Sequence, residues 1–287
     1  MTFRALISPV ELAPHLADPA WVVFDCRHQL TDKSYGHRMY AESHLPGARF
    51  ADMDEALAGP VTPGSGRHPL PDLDAFARWL GEQGVGKGTQ VVAYDDGPGA
   101  MAARLWWMLR YLNHFDVAVL DGGWKRWRAE GYPADAKAPQ PRLATFVPHL
   151  HELQAVSLEQ LLSFYRRRSV LLVDARGAER FEGKTEPIDP VAGHIPGAVS
   201  HPYSQNLTPA GTFLPQETLR AQLMAKFGAV PPEDTIHYCG SGVSACHNLL
   251  AMAAAGLPVA RLYVGSWSQW CADRARPVET GPARAKA

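Results

Sequence analysis

Short runs of β-branched and aliphatic residues alternate along the chain with longer stretches of helical spacing. Trp21-Val22-Val23-Phe24, Gln90-Val91-Val92-Ala93-Tyr94, Val170-Leu171-Leu172-Val173 and Thr235-Ile236-His237-Tyr238 are short and almost continuously apolar. That pattern predicts strands buried on both faces. Across 73–83 and 217–227, Leu, Phe, Trp and Met recur at helical spacing and predict amphipathic helices. Segments 100–112 and 244–255 are apolar nearly all round and predict buried helices, each following a strand. Strand, turn, helix and strand in series predict an α/β fold, a mostly parallel sheet flanked by helices. In such sheets ligands sit at the carboxyl ends of the strands.

The pattern occurs twice. Val23-Phe24-Asp25-Cys26-Arg27 matches Leu172-Val173-Asp174-Ala175-Arg176, and His44-Leu45-Pro46-Gly47-Ala48 matches His194-Ile195-Pro196-Gly197-Ala198. Gln90 to Asp95 matches Asp234 to Cys239, and Asp121-Gly122-Gly123-Trp124 matches Val264-Gly265-Ser266-Trp267. The matches keep their order at a domain-sized period, far longer than a solenoid repeat. Two similar domains are expected, at 1–136 and 155–280. The Pro-rich stretch 137–154 reads as a linker and 281–287 as a small, polar C-terminal tail.

Composition narrows the function classes. The 287 residues carry 28 Lys and Arg against 29 Asp and Glu, a net charge of −1, which gives no footprint for nucleic acid or an anionic membrane. The apolar stretch Ala251 to Ala260 is interrupted by Gly256 and Pro258 and is too short to span a bilayer. Met1 to Val10 lacks the apolar core of a signal peptide, so a cytoplasmic protein is expected. A monomer is the expected state, because a fused pair already buries an interdomain surface. The four cysteines, Cys26, Cys239, Cys246 and Cys271, form no C-x-x-C, and the histidines form no H-E-x-x-H. No metal or other cofactor is expected.

One cysteine stands apart. Cys239 ends a strand and precedes a helix, in Cys239-Gly240-Ser241-Gly242-Val243-Ser244-Ala245. Gly240 and Gly242 let the backbone curl, so that several N–H groups point at the centre of the loop. The helix N-terminus adds positive partial charge there. Both favour an anionic sulfur. A plainer reading, a packed thiol before a glycine turn, would suit this loop taken alone. The repeat weighs against it: the first half has Asp95-Asp96-Gly97-Pro98-Gly99 at the same place, so only the second half carries a nucleophile. Cys26, Cys246 and Cys271 lack such a loop and read as packing residues. Phosphatase chemistry on a Cys loop needs an Arg to clamp the oxyanion, and here the sixth residue after Cys239 is Ala245.

With these motifs the chain resembles the two-domain rhodanese-like sulfurtransferases over essentially its whole length. The resemblance implies two tandem rhodanese-like domains, with Asp replacing Cys in a non-catalytic first one. The loop is similar to that of 3-mercaptopyruvate enzymes, C-G-S-G-V-T-A, with Ser244 for Thr. Rhodaneses that take thiosulfate usually carry Arg and Lys after the Cys. The implied activity passes sulfur from 3-mercaptopyruvate through a Cys239 persulfide to a thiol such as thioredoxin or glutathione, or to cyanide, and releases pyruvate. The alternatives are a thiosulfate:cyanide sulfurtransferase and a persulfide relay without small-molecule turnover.

The resemblance also implies a hydrogen-bonded set of Ser241, His68 (in His68-Pro69-Leu70-Pro71) and Asp54 (in Asp52-Met53-Asp54). From the residues alone, His68 is an ordinary loop histidine and Asp54 a helix cap. Arg180 would hold the donor's carboxylate, with Gly240, Gly242, Val243 and Ser244 of the loop around the sulfur. A second Arg is usual shortly before the second His-x-Pro-Gly. This chain has Glu186-Pro187-Ile188-Asp189-Pro190 there, one Arg short, and no donor-contacting Tyr near Ala100 and Met101. His44 and His194, present in both halves, are expected to hold local backbone carbonyls. Trp124, Trp127, Trp267 and Trp270 are expected in the core, with Trp267 near the pocket wall. The glycine-rich stretch 81–90 mimics a phosphate loop, but its predicted order, helix then strand, is the reverse of what that motif needs.

Overall fold

The structure, a computed structural model, describes residues 2–167 and 170–283. The end of the expected tail, 284–287, lies outside the described residues. The chain divides into two compact units. Described residues within Met1–Gly59, Leu70–His151 and Pro209–Phe213 form the first, and those within Pro60–Pro69, Glu152–Thr208 and Leu214–Ala287 the second. Pro60–Pro69 thus belongs to the second unit, although its sequence neighbours on both sides belong to the first.

The first unit runs β1 (Leu6–Ile7), α1 (Pro9–Leu12), β2 (Trp21–Asp25), α2 (Tyr35–Glu42), β3 (Arg49–Phe50), α3 (Leu73–Glu82), β4 (Gln90–Tyr94), α4 (Ala102–Tyr111), β5 (Val117–Leu120) and α5 (Gly123–Ala129). The second repeats that alternation: β6 (Ala155–Val156), α6 (Leu158–Arg167), β7 (Leu171–Asp174), α7 (Ala178–Phe181), β8 (Val199–Ser200), α8 (Gln216–Phe227), β9 (Thr235–Tyr238), α9 (Ala245–Ala254), β10 (Arg261–Tyr263) and α10 (Ser266–Cys271). The sheet orders are β1-β5-β4-β2-β3 and β6-β10-β9-β7-β8, which are the same order shifted by five. All the strand pairings are parallel.

The sequence pattern explains the layers. The central strands β4 and β9 are buried at every position, as a strand covered by helices on both faces must be. Helix α3 begins at an Asp72 cap, whose carboxylate accepts the Ala75 N–H, and it buries Phe76, Ala77, Leu80 and Gly81. Helix α8 buries Leu219, Leu223 and Phe227, one stripe at a spacing of four. Helices α4 and α9 are buried over most of their length and directly follow the central strands. The strand–turn–helix corner after β9 therefore sits in a tightly packed frame. Among the described residues no helix is long and apolar enough to cross a membrane.

The stretch between the repeats packs on the first unit. Ala144 N–H donates to Gly81 O at 2.9 Å, and His151 N–H donates to Tyr111 O at 2.8 Å. His149, Leu150 and His151 are solvent-exposed. Over 81–90, helix α3 precedes and β4 follows, the order opposite to a phosphate loop.

Candidate active site

Cys239 lies between β9 and α9 with its side chain 1% exposed. The loop folds back on it, and the Gly242 N–H donates to its Sγ at 3.2 Å. Gly242 has φ +77°, and a Cβ there would press into the Val264 carbonyl, so the position requires glycine. The backbone of Cys239 is held from the β10–α10 corner. Its N–H donates to Ser266 Oγ at 3.2 Å, and its carbonyl accepts the Trp267 N–H at 2.9 Å. Ser266 also donates to Tyr263 O at 3.0 Å. It is buried with φ +54°, a conformation costly for a non-glycine residue. Its counterpart in the first unit is Gly123, with φ +52°. The serine therefore accepts backbone strain and places a hydroxyl on the Cys239 amide. Val243 is buried, and Ser244 is the residue from which α9 starts.

Two of the expected partners meet. His68 Nδ1 and Ser241 Oγ are 2.7 Å apart in the second unit, and both side chains are buried. Asp54 belongs to the first unit, where its carboxylate lies 3.4 Å from Lys33 Nζ.

Arg180 is part of a chain of alternating charges, all of it in the second unit. Asp174 pairs with Arg176 at 2.7 Å, and Arg176 with Glu186 at 3.2 Å. Glu186 pairs with Arg180 at 2.6 Å, and Arg180 with Asp189 at 3.2 Å. Asp189 ends the chain on Arg67. Burial pushes the Asp189 carboxyl up, against the pull of Arg67, and the neighbouring Glu186 adds to the rise. Burial would raise Glu186 too, but hydrogen bonds from Arg180 and the Asp189 N–H outweigh it and leave that carboxyl below its usual range. A Cβ on Gly240 would stand 2.7 Å from Arg67 Nη2 and 3.6 Å from Arg180 Nη2. The residue after Cys239 is thus overhung by two guanidinium groups. Arg67 is placed by its own segment: its N–H donates to Ser268 Oγ at 3.1 Å, and Gln269 Nε2 donates to Gly64 O at 2.6 Å.

The other cysteines are packed. Burial, and then the charges of Asp25 and Asp95, push the Cys26 thiol well up. Burial, with Asp189 and Glu186, pushes Cys271 up to about 11. Cys246 Sγ donates to Gly242 O at 3.4 Å. His44 and His194 each place Nδ1 2.7 Å from a backbone carbonyl, those of Tyr40 and Phe181. Trp127, Trp267 and Trp270 are fully buried, while Trp124 is only half-buried, its ring covered by the Arg27 guanidinium at 4.8 Å. Trp267 lies under Arg176 at 4.7 Å, beside the site. Arg67, Glu186, Asp189 and Ser266 are not among the residues the sequence assigns a role at the site. Only Ser266 had a visible signal there, as a serine matched to a glycine in the repeat.

A model of the rhodanese-like domain matches residues 8–130 and again 157–273. A Pseudomonas aeruginosa protein named "Probable 3-mercaptopyruvate sulfurtransferase" is 45% identical over 283 residues, covering 98% of this chain and 100% of that one. The thiosulfate sulfurtransferase of Bos taurus is 34% identical over 279 residues, covering 93% of this chain and 92% of that one. Among solved structures, the 3-mercaptopyruvate sulfurtransferase of Leishmania major matches with a TM-score of 0.82 at 33% identity, covering 92% of this chain and 73% of that one.

Proposed function

The chain belongs to the rhodanese-like family, and from that membership we propose that it is a sulfurtransferase that takes sulfur from 3-mercaptopyruvate onto Cys239 and passes it to a thiol or to cyanide. The observation that carries the reading is the Cys239 loop, a buried sulfur approached by a backbone N–H and overhung by two guanidinium groups. The identity of 45% to a protein named for this activity supports the choice of donor.

The steps follow from the chemistry of the thiol. The Cys239 thiolate attacks the donor's sulfur, an S–S bond forms and the donor's C–S bond breaks. The electron pair leaves on carbon as the enolate of pyruvate, which takes up a proton to give pyruvate. A thiolate acceptor then attacks the outer sulfur of the persulfide and carries it away, and Cys239 returns as thiolate. No net oxidation occurs and no cofactor is called for. Ser241 and His68, joined at 2.7 Å, are the pair positioned to polarise the donor carbonyl or hand a proton to the enolate. Arg180 takes the donor's carboxylate, and the backbone of Gly240, Gly242, Val243 and Ser244 surrounds the sulfur. The role of Asp54 rests on the family resemblance alone. The proposed setting is the cytoplasm, where thiol acceptors such as thioredoxin or glutathione stay reduced.

Steady-state turnover with each donor tests the proposal. Pyruvate release from mercaptopyruvate should exceed thiosulfate turnover by at least about tenfold in kcat/KM. The opposite ratio would assign the chain to thiosulfate. Exchange with a protein persulfide alone would make it a relay.

A further inference from the structure

On the proposed function Cys239 must meet a donor and then an acceptor, yet its side chain is 1% exposed, and Ser241 and His68 are buried with it. Within the second unit, the segment 60–69 lies on the Cys239 loop. Its His68 Nδ1 is 2.7 Å from Ser241 Oγ, and its Arg67 Nη2 is 2.7 Å from the point where a Cβ on Gly240 would stand. The segment forms neither helix nor strand, and its ends meet: a Cβ on Gly59 would stand 2.7 Å from Leu70 O. At its tip the Thr62 N–H donates to Ser65 Oγ at 2.9 Å and the Ser65 N–H to Thr62 O at 3.0 Å, while Val61, Thr62, Pro63 and Gly64 are exposed. Joined ends, a tip closed on itself and no ladder to a neighbouring strand are the marks of an Ω-loop.

The start of α10 holds both the Cys239 loop and this segment, by different groups. Its backbone holds the first: the Trp267 N–H donates to Cys239 O and the Ser268 N–H to Gly240 O, each at 2.9 Å. Its side chains hold the second. Ser268 Oγ accepts the Arg67 N–H at 3.1 Å, and Gln269 Nε2 donates to Gly64 O at 2.6 Å. Gly66 packs so closely on Gly265 that a Cβ there would press into the Gly265 carbonyl. Asp189, from the stretch before β8, adds an ion pair to Arg67. The two sets of bonds are separable, because the side chains can release the segment while the backbone keeps the Cys239 loop in place. A segment without helix or strand, with an exposed tip and side-chain holds, opens at far lower cost than β9 or α9, which are packed in the core.

We propose that the segment 60–69 is a gate over Cys239, closed in this structure, which opens about its joined ends at Gly59 and Leu70 to admit donor and acceptor and closes to set His68 against Ser241. A gate of this kind shields a reactive sulfur from side reactions and completes the site only when shut. Its purpose rests on the sulfurtransferase reading above, but its movement does not.

The rate at which iodoacetamide alkylates Cys239, followed by peptide mass mapping, measures the opening. Gln269→Ala removes one hydrogen bond from the closed segment and should raise that rate by about fivefold. Gly66→Ala should raise it by at least about tenfold, because the added methyl group cannot sit against the Gly265 carbonyl. In both, the thiol pKa read from the pH dependence of alkylation should match that of the unaltered protein. Hydrogen exchange should quicken in the peptide spanning 60–69 and not in that spanning 239–244. The two variants act on different contacts, so either carries the test where the other fails to fold. Alkylation rates unmoved by both, a shifted thiol pKa that accounts for the faster reaction, or exchange that quickens equally across 239–244 would overturn the gate. Alkylation needs no sulfur transfer, so an unaltered protein that moves no sulfur would overturn the proposed function and leave the result for the gate standing.

Discussion

The two units carry the same loop at the end of the same strand, around different side chains. In the first, the Asp95 carboxylate accepts four backbone N–H groups: Gly97 at 3.0 Å, Gly99 at 2.9 Å, Met101 at 2.9 Å and Ala102 at 3.3 Å. In the second, the Gly242 N–H reaches the Cys239 sulfur at 3.2 Å. The rest of the scaffold coincides. The Asp95 carbonyl accepts the Trp124 N–H at 2.8 Å as the Cys239 carbonyl accepts that of Trp267 at 2.9 Å. The fold thus turns loop N–H groups on the Asp95 carboxylate in one half and the Gly242 N–H on the Cys239 sulfur in the other. A built-in carboxylate satisfies those donors permanently in one. A thiol, a single reactive atom on a short stem, stands in the other. On the proposed function, the Gly242 N–H faces a sulfur whose negative charge comes and goes.

The largest effect should come from making the second loop a copy of the first. Cys239→Asp should abolish turnover, a loss of at least about 10⁴-fold. It should also leave Tm unchanged or raised, because the new carboxylate can take up loop N–H groups as Asp95 does. A steep fall in Tm would show that the two loops are not alike. Next, Asp95→Ala should strand those N–H groups and cost about 3 kcal/mol, a drop of roughly 10 °C in Tm. The smallest effect concerns the one strained residue. Ser266→Gly relieves its left-handed backbone while removing a hydrogen bond worth about 1 kcal/mol, so Tm should hold while kcat falls several-fold. Unchanged kcat would assign Ser266 to packing alone.

Much of this was legible in the sequence because it is local. Strands and helices follow from apolar runs and spacing, and the duplicated order from motifs repeated in sequence. Cys239 stands out because its loop carries glycines and its counterpart is Asp95. The His68–Ser241 bond joins residues 173 positions apart, and no local pattern announces it. The pairing was reachable only through resemblance. Arg67 was hidden for a stronger reason. By sequence it lies inside the first repeat, yet its segment folds with the second unit and pairs with Asp189, 122 positions away. The stretch 186–190 looked deficient because it lacks an arginine. Its contribution is the pair of acids that orders arginines from other segments. Long-range ion pairs leave no periodicity to read.

In the proposed reaction sulfur travels on Cys239. Intact-protein mass spectrometry after brief incubation with mercaptopyruvate, followed by peptide mapping under non-reducing conditions, tests it directly. The expected result is a gain of about 32 Da, one sulfur atom, mapped to the peptide containing Cys239 and removed by cyanide or a thiol. The same gain on Cys26, Cys246 or Cys271, or its persistence in the Cys239→Ser protein, would contradict it.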